Sequence, residues 1–364
     1  MPSSDPQPGQ GPVKTASDTH VLDAIVLAGT HNNPRRLVMG RNKAFLEIGG
    51  RPLVRHVVDA LVEAQRVRRI YVVGPTEELT PLLSDVDAVR CVPQQGKFIS
   101  NGWAGVHARD AEEPDLGEEE RRERPLLLIS CDLPLISGGA VDDFIERCAA
   151  MDREADSGYA MFVGVAEDEA LRPFYGSGNQ PGMERPLVQM NEGRYRLSNI
   201  YVSRPYKLEH SEFLQTSFNL RKAKDWHNVA KLVFSLFSQH GGWFAAWMTV
   251  RLQLAAMLRR GQGRLYRRLR AGNTFEKIDR GVSTVLGGAV RLVDSPYGGL
   301  SLDVDDEVDY ALLRDHYPEW IAEVRALDER RSVRNRASEQ GEGQGWPEGD
   351  DQNAEEQPEK EGHG

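Results

Sequence analysis

The sequence predicts an α/β protein with a doubly wound, mostly parallel sheet. Three observations carry this. Short apolar runs bounded by turn residues recur at 24–27, 70–73 and 126–130. Amphipathic helical patterns lie between them, as at 54–62 and 140–148. The spacing is that of βαβ units, whose strands are covered on both faces and therefore read as continuous apolar runs rather than alternating ones.

Residues 24–27 form the first strand, between Asp23 and Gly29, and a short second strand precedes the Gly49-Gly50-Arg51-Pro52 turn. Pro52 suits the first turn of a helix, where its missing N–H costs nothing, and Val54, Val57, Val58, Leu61 and Val62 continue that helix with a three-to-four-residue period. A strand at 70–73 stops at Gly74-Pro75, a short helix covers 77–83 and a strand covers 89–92. The turn Gln94-Gln95-Gly96 leads into a helix at 98–108. The segment 111–124 carries both signs of charge without an apolar face, the pattern of a solvated loop insertion. The strand 126–130 is the most apolar and ends at Cys131-Asp132-Leu133-Pro134, after which Ser137 caps a helix.

Beyond Met151 strands are expected at 159–165, 199–202, 289–293 and 302–304, then helices at 306–316 and 319–327. Between them, residues 221–270 hold 11 Lys and Arg against one acid, Asp225. Their apolar stretch is short and broken by Arg251 and Gln253, so a spanning helix is not expected; two basic amphipathic helices divided by Gly241-Gly242 are. The organisation is then a disordered segment at 1–20, one domain over 21–330 with a helical insertion at about 207–280, and a disordered acidic tail over 335–364.

The chain has 364 residues, a net charge of −10 and three cysteines, Cys91, Cys131 and Cys148. The charge argues against a general nucleic-acid binder. Without a CxxC or Cys/His cluster there is no zinc or disulfide signature, and the N-terminus lacks an apolar leader, which together suggest a cytoplasmic setting.

Ligands of such sheets bind at the carboxyl ends of the strands, where the loop after Leu27 and Asp132 both fall. Gly29 allows close backbone approach, and Arg35, Arg36, Arg41 and Lys43 add positive charge, as a triphosphate needs; ordinary turn glycines and solvated arginines are the plainer alternative. Asp132 suits a Mg²⁺ ligand or a turn aspartate. On a strand, Asp303 and Asp305 would share a face and could approach one cation, whereas Asp306, Glu307 and Asp309 suit an acidic helix start.

Leu27-Ala28-Gly29, Met39-Gly40 and Lys43 together resemble the signature of the MobA-like nucleotidyltransferases, LAGG, a short loop, RMG, two residues, then K. Thr30 replaces the second glycine, the loop is longer, and Val38 stands where the family has arginine, with Arg36 as its substitute. The departures argue against the molybdenum-cofactor enzyme of that family. LISCDLPLI and the Asp303–Tyr310 stretch DVDDEVDY resemble the family's two later motifs. The resemblance covers 22–206 and 287–315, and 207–280 is similar to the insertion of an uncharacterised branch.

The resemblance implies a Rossmann-like nucleotidyltransferase fold. It further implies that Leu27, Ala28, Gly29, Thr30, Arg36 and Lys43 hold an NTP and that Ser100 and Asn101 contact its base and ribose; helix capping is the alternative for the last two. Asn199 would face the acceptor, Lys43 and Asp132 would be catalytic, and Asp132, Asp305 and Asp303 would hold Mg²⁺. The expected reaction moves an NMP from an NTP to a phosphorylated small molecule or a lipid phosphate and releases pyrophosphate. The rivals are a sugar transferase of the glycosyltransferase-A type and a non-catalytic nucleotide-binding protein. The basic segment, with Trp243, Phe244 and Trp247, is a packing subdomain or homodimer interface on the plainer reading; as an interfacial helix pair over 229–270 it would place the protein at the inner face of the membrane.

Overall fold

The structure, a computed structural model, describes residues 21–30, 37–155, 158–178, 180–211, 242–259, 261 and 263–342. The segment 1–20, His31, Arg35 and Arg36, the first of the two expected basic helices, and the tail beyond 342 lie outside these residues.

The main sheet runs β5 (Val89–Pro93), β4 (Val67–Gly74), β1 (Leu22–Leu27), β6 (Leu126–Ser130), β9 (Arg194–Ser203), β7 (Met161–Glu167), β10 (Val290–Asp294). β1 is parallel to β4 and β6, β4 to β5, and β7 to β10. β9 runs against both its neighbours, and β8 (Val188–Gln189) pairs with its start. A small hairpin, β2 (Glu47–Ile48) and β3 (Arg51–Pro52), stands apart around Gly49 and Gly50, both at positive φ. The mostly parallel sheet with flanking helices is the Rossmann-like arrangement that the sequence predicts.

Two cores explain why the strands read as apolar throughout. Ala24 and Val26 of β1 face one core with α1 (Leu53–Glu63) and α5 (Gly138–Arg153). Ile25 faces the other, with Tyr71, Val73 and Val106 of α3 (Phe98–Ala111). Alternate residues thus point to opposite faces, and both faces are dry. On α1 the expected stripe is buried except for Val62, which is half exposed at 50%. The charged insertion holds a short exposed helix, α4 (Glu118–Glu123); α2 (Thr76–Leu83) and α6 (Asp168–Leu171) complete the domain's short helices. Ser137 caps α5 by accepting from Ala140 N at 3.2 Å.

Four expectations are corrected. Residues 302–304 are not a strand: Leu302 N closes a 3₁₀ turn on Gly299 O, and Val304 N donates to Asp132 O at 3.2 Å instead of joining a ladder. The two expected C-terminal helices are one, α10 (Glu307–Glu342), which passes through Pro318 because Leu313, Trp320, Ile321 and Val324 keep one buried stripe on both sides of it. The tail set at 335 therefore begins inside a helix, whose Glu, Arg and Ala residues favour that state. Beyond Gly241-Gly242, where one basic helix is expected, the described residues form three helices, and the last of them is not basic. After α7 (Gly242–Leu258) and α8 (Arg264–Ala271) comes α9 (Phe275–Leu286), which Thr274 caps and Gly287 ends at φ 64°.

Asp279 of α9 anchors β10 by accepting from Leu292 N at 2.9 Å, with Arg291 at 3.3 Å. Burial pushes its carboxyl up from 3.8 to about 6, against the lowering effect of that N–H and of Arg291. Because the folded value lies above the free one, the fold favours the protonated form. That contribution is complete below about pH 4 and is lost as the pH rises to about 6. Asp279→Asn is expected to stabilise the protein at pH 7 by on the order of 2 kcal/mol and to change little at pH 4. Urea unfolding at the two pH values checks this; an equal effect at both would contradict it.

Candidate active site at the carboxyl edge of the sheet

β1 ends in Leu27, and the next three residues are held from both sides. Ala28 N donates to Val73 O at 2.9 Å, and Ala28 O accepts from Asn42 Nδ2 at 2.9 Å. Thr30 N donates to Gln94 Oε1 at 2.7 Å, and Thr30 Oγ1 accepts from Asn42 Nδ2 at 3.0 Å. Asn42 Oδ1 in turn accepts from Ala44 N, capping the 3₁₀ turn Lys43–Phe45. One asparagine thus staples the lysine-bearing turn to the end of the first strand. Just before it, Met39 and Gly40, at φ 51° and 72°, close a two-residue turn on the Val38–Arg41 bridge, a conformation that favours glycine at the second position.

Gly29 is where close approach is required. A Cβ there would meet Asn101 Nδ2 at 2.3 Å and Gln94 Oε1 at 3.4 Å. Asn101 does not cap α3; its Oδ1 accepts from Gln95 N at 2.6 Å and fixes the 94–96 turn over the glycine. Gly29→Ala is expected to displace Asn101 and to weaken binding of the NTP that the sequence resemblance implies by about ten-fold, the worth of one hydrogen bond to a charged group. Equilibrium titration with NTP reads this directly; unchanged affinity would show that the cradle does not touch the ligand.

Lys43 reaches across the edge. Its Nζ lies 3.3 Å from Asp132 Oδ2 and 3.6 Å from Asp305 Oδ1, and also donates to Val304 O. Burial alone pulls its ammonium down, but the carboxylates of Asp132, Asp305 and Asp303 outweigh that and hold it above its usual range. Asp132 follows β6 and accepts a hydrogen bond from Ser130 Oγ. Cys131 between them is buried, and burial pushes its thiol up, as befits a packing residue.

Asp305 comes from the loop before α10, which buried Arg196 and part-buried Arg185 hold. Arg196 Nε donates to Ser301 O at 2.7 Å and its Nη2 lies 3.3 Å from Asp303. Arg185 Nη2 donates to Asp303 O at 2.7 Å and to Asp309 Oδ2 at 2.6 Å, with its Nη1 3.8 Å from Asp305. Asp309 Oδ2 also accepts from Asp305 N at 2.9 Å. Asp306 caps α10 by accepting from Val308 N and Asp309 N, both at 3.0 Å. The neighbouring carboxylates therefore serve different partners: Asp303 is paired with Arg196, whereas Asp305 is turned to Lys43 and Arg185.

A single cleft is lined by Leu27, Gly29, Thr30, Lys43, Asn101, Asp132 and Asn199 among the expected residues. Asn199 Nδ2 is buried in its wall without a hydrogen-bond partner, an orphan donor that a ligand oxygen would satisfy. Ala28, Ser100 and Asp303 do not line the cleft, Asp305 reaches it through Lys43, and Arg36 lies outside the described residues. Sequence reasoning missed Asn42, Gln94, Ser130 and Arg185. Asn42 beside Lys43 and Gln94 before Gln95-Gly96 were visible as polar residues flanking glycine turns; Arg185 carried no local signal.

Asp132 and Asp305 are the carboxylates that converge on one point. Among the described residues no group of three or more His, Cys, Asp or Glu forms a cation cage. Two carboxylates suit an ion that takes its remaining ligands from water and phosphate.

Residues 24–205, half of the chain, match the MobA-like NTP transferase domain. The chain belongs to this family. A 61-residue stretch is 44% identical to 2-C-methyl-D-erythritol 4-phosphate cytidylyltransferase of Rubrobacter xylanophilus; it covers 17% of this chain and only 25% of that protein. A hypothetical transferase from Thermus thermophilus superposes with a TM-score of 0.51 at 20% identity over 80% of this chain and 99% of that one, a likeness of fold. 4-Diphosphocytidyl-2C-methyl-D-erythritol synthase from Anaerococcus prevotii overlaps more loosely, with a TM-score of 0.41 at 10% identity over 83% and 97% of the two chains.

Proposed function

We propose that the chain transfers an NMP from an NTP to a phosphorylated acceptor and releases pyrophosphate. An acceptor phosphate oxygen attacks the α-phosphorus, a new P–O bond forms, and the α–β anhydride bond breaks with its electron pair leaving on pyrophosphate. The observation that carries this reading is Lys43 held against Asp132 and Asp305 at the mouth of a glycine-floored cleft.

Such a transfer asks the protein for positioning and charge neutralisation rather than covalent chemistry. The Gly29 turn and the Asn42 staple place the loop amides beside the triphosphate. Lys43, kept charged by its carboxylates, transfers its contact to the phosphates when they enter and balances the charge that builds on the leaving group. Asn199 Nδ2, an orphan donor, takes an acceptor oxygen. Asp132 and Asp305 would hold Mg²⁺, which would neutralise phosphate charge when bound. Asp303 keeps its place as the partner that positions Arg196 and the loop.

CTP is the first nucleotide to try, because the 44% identical stretch belongs to a cytidylyltransferase. A screen of the common NTPs with Mg²⁺ against acceptor phosphates, read by pyrophosphate release, tests the reading. Turnover that yields free NDP would point instead to a different transfer, and NTP binding without turnover across the panel would make this a nucleotide-binding protein. The setting proposed for this reaction is cytoplasmic.

A further inference from the structure

α7 presents an apolar face that the described fold leaves open. Ala245, Met248 and Ala255 are buried on one side of it, and the helix packs on α8, α9 and β8. Another stripe is apolar yet partly exposed: Trp243 at 63%, Trp247 at 51% and Met257 at 68%, with Leu258 beside them, while Ala246 within it is covered. A helix apolar on both sides belongs in an interior, so one half of this one is unaccounted for.

The charge beside it says what covers it. Residues 242–271 contain seven arginines and no acidic residue, in a chain whose net charge is −10. Arg251 and Arg270 are used internally. The first donates to Leu269 O at 3.0 Å and closes the end of α8, and the second donates to Met190 O at 2.6 Å. Arg264, Arg267 and Arg268 of α8 point to solvent, together with Leu265 at 60% exposure. The unit is rigidly tied: Tyr266 Oη donates to Gln189 Oε1 at 2.9 Å, and Asn273 Nδ2 donates to Gln189 O at 3.0 Å. Gln189 lies in β8, which pairs with the start of β9, and β9 presents Asn199 to the cleft a few residues later. The patch is therefore anchored at the edge of the sheet that carries the active site.

We propose that Trp243, Trp247 and Leu265, with Arg264, Arg267 and Arg268, form a docking face for an anionic phospholipid surface. Indole rings sit at the headgroup level, the aliphatic residues enter the acyl boundary, and guanidinium groups meet lipid phosphates. A second copy of the chain fits less well, because a two-fold contact through this face would set the same arginines against each other. An apolar protein groove would strip the arginines of water without neutralising them. A nucleic-acid backbone would have no use for Met257, Leu258 and Leu265. Among the described residues no helix is long and apolar enough to cross a membrane, so the contact is peripheral.

The experiment is flotation of the full chain with vesicles of phosphatidylcholine alone or with an added fraction of phosphatidylglycerol. Binding to the anionic vesicles only, and its loss in high salt, is the expected result. Trp243→Ser/Trp247→Ser is expected to abolish flotation. Arg264→Gln/Arg267→Gln/Arg268→Gln, which touches only exposed side chains, is expected to weaken it by roughly a hundred-fold. Both variants should keep wild-type NTP titration curves, which shows that they fold and separates this proposal from the assignment of the cleft. Absence of binding, equal binding to neutral vesicles, or a concentration-dependent dimer that the tryptophan variant dissolves would overturn it.

Discussion

Asp132→Ala is expected to lower pyrophosphate-forming turnover by at least about a thousand-fold while leaving the fold in place. The carboxylate stands beyond the last residue of β6 and lines the cleft, so its loss removes no ladder bond. What it removes is one of the two carboxylates on Lys43, at 3.3 Å, and the acceptor of the Ser130 hydroxyl. Lys43→Ala is expected to have a similar effect from the other side: Asp132 and Asp305 would then face each other without the ammonium between them, and the triphosphate would lose its cation. Asp132→Asn separates charge from shape, because an amide oxygen can still accept from Ser130. Steady-state rates of pyrophosphate release, with circular dichroism to confirm folding, check all three. Near-normal turnover in the asparagine variant would assign Asp132 a purely structural role.

Arg185→Met is expected to be the most damaging change to stability near the site, at about 3 kcal/mol. Part-buried Arg185 pairs with buried Asp309, whose carboxyl burial raises while the guanidinium opposes that rise. Removing the arginine leaves Asp309 interior and uncompensated, and frees Asp303 O, which the same guanidinium holds at 2.7 Å. The loop that carries Asp305 should loosen, so activity falls along with stability. Adding Asp309→Asn to Arg185→Met should recover much of the stability, since the stranded charge is gone, but not the activity. Urea unfolding of the single and double variants measures this; equal stability of the two would mean that Asp309 does not depend on Arg185.

The fold was legible wherever the physics is local. Strands β1, β4 and β6 are buried on both faces, so their apolar runs announced them without ambiguity. α1 and α5 showed their stripes, and Ser137 its cap, because capping and amphipathicity operate within a few residues. Residues 302–304 misled for an instructive reason. Leu302 and Val304 are fully buried and alternate with Asp303, which imitates a strand, but the loop is held by arginines more than a hundred positions earlier rather than by a ladder. α9 was hidden by the assumption that the basic insertion extended to 280. Its Ile278, Val282, Val285 and Leu286 spacing, with Thr274 before and Gly287 after, would have revealed it.

Of the candidate site, the residues near motifs were readable and their partners were not. Gly29, Lys43, Asp132 and Asn199 meet in one cleft, as the pattern of strand ends suggested. Ser100, one position from Asn101, falls on another face of α3 and does not line it, a distinction of a single helical step that a motif cannot make. Asn42 and Gln94 act through hydrogen bonds to backbone atoms of the Gly29 turn, and such bonds depend on loop paths rather than on residue type.

The account stands most directly on where the phosphorus atoms of the NTP go. With CTP labelled separately at the α- and γ-phosphorus, in the presence of Mg²⁺ and an accepted phosphate acceptor, the account predicts that the α-label appears in the acceptor and the γ-label in pyrophosphate. Retention of the α-label in free CDP, with the γ-label released as orthophosphate, would contradict it.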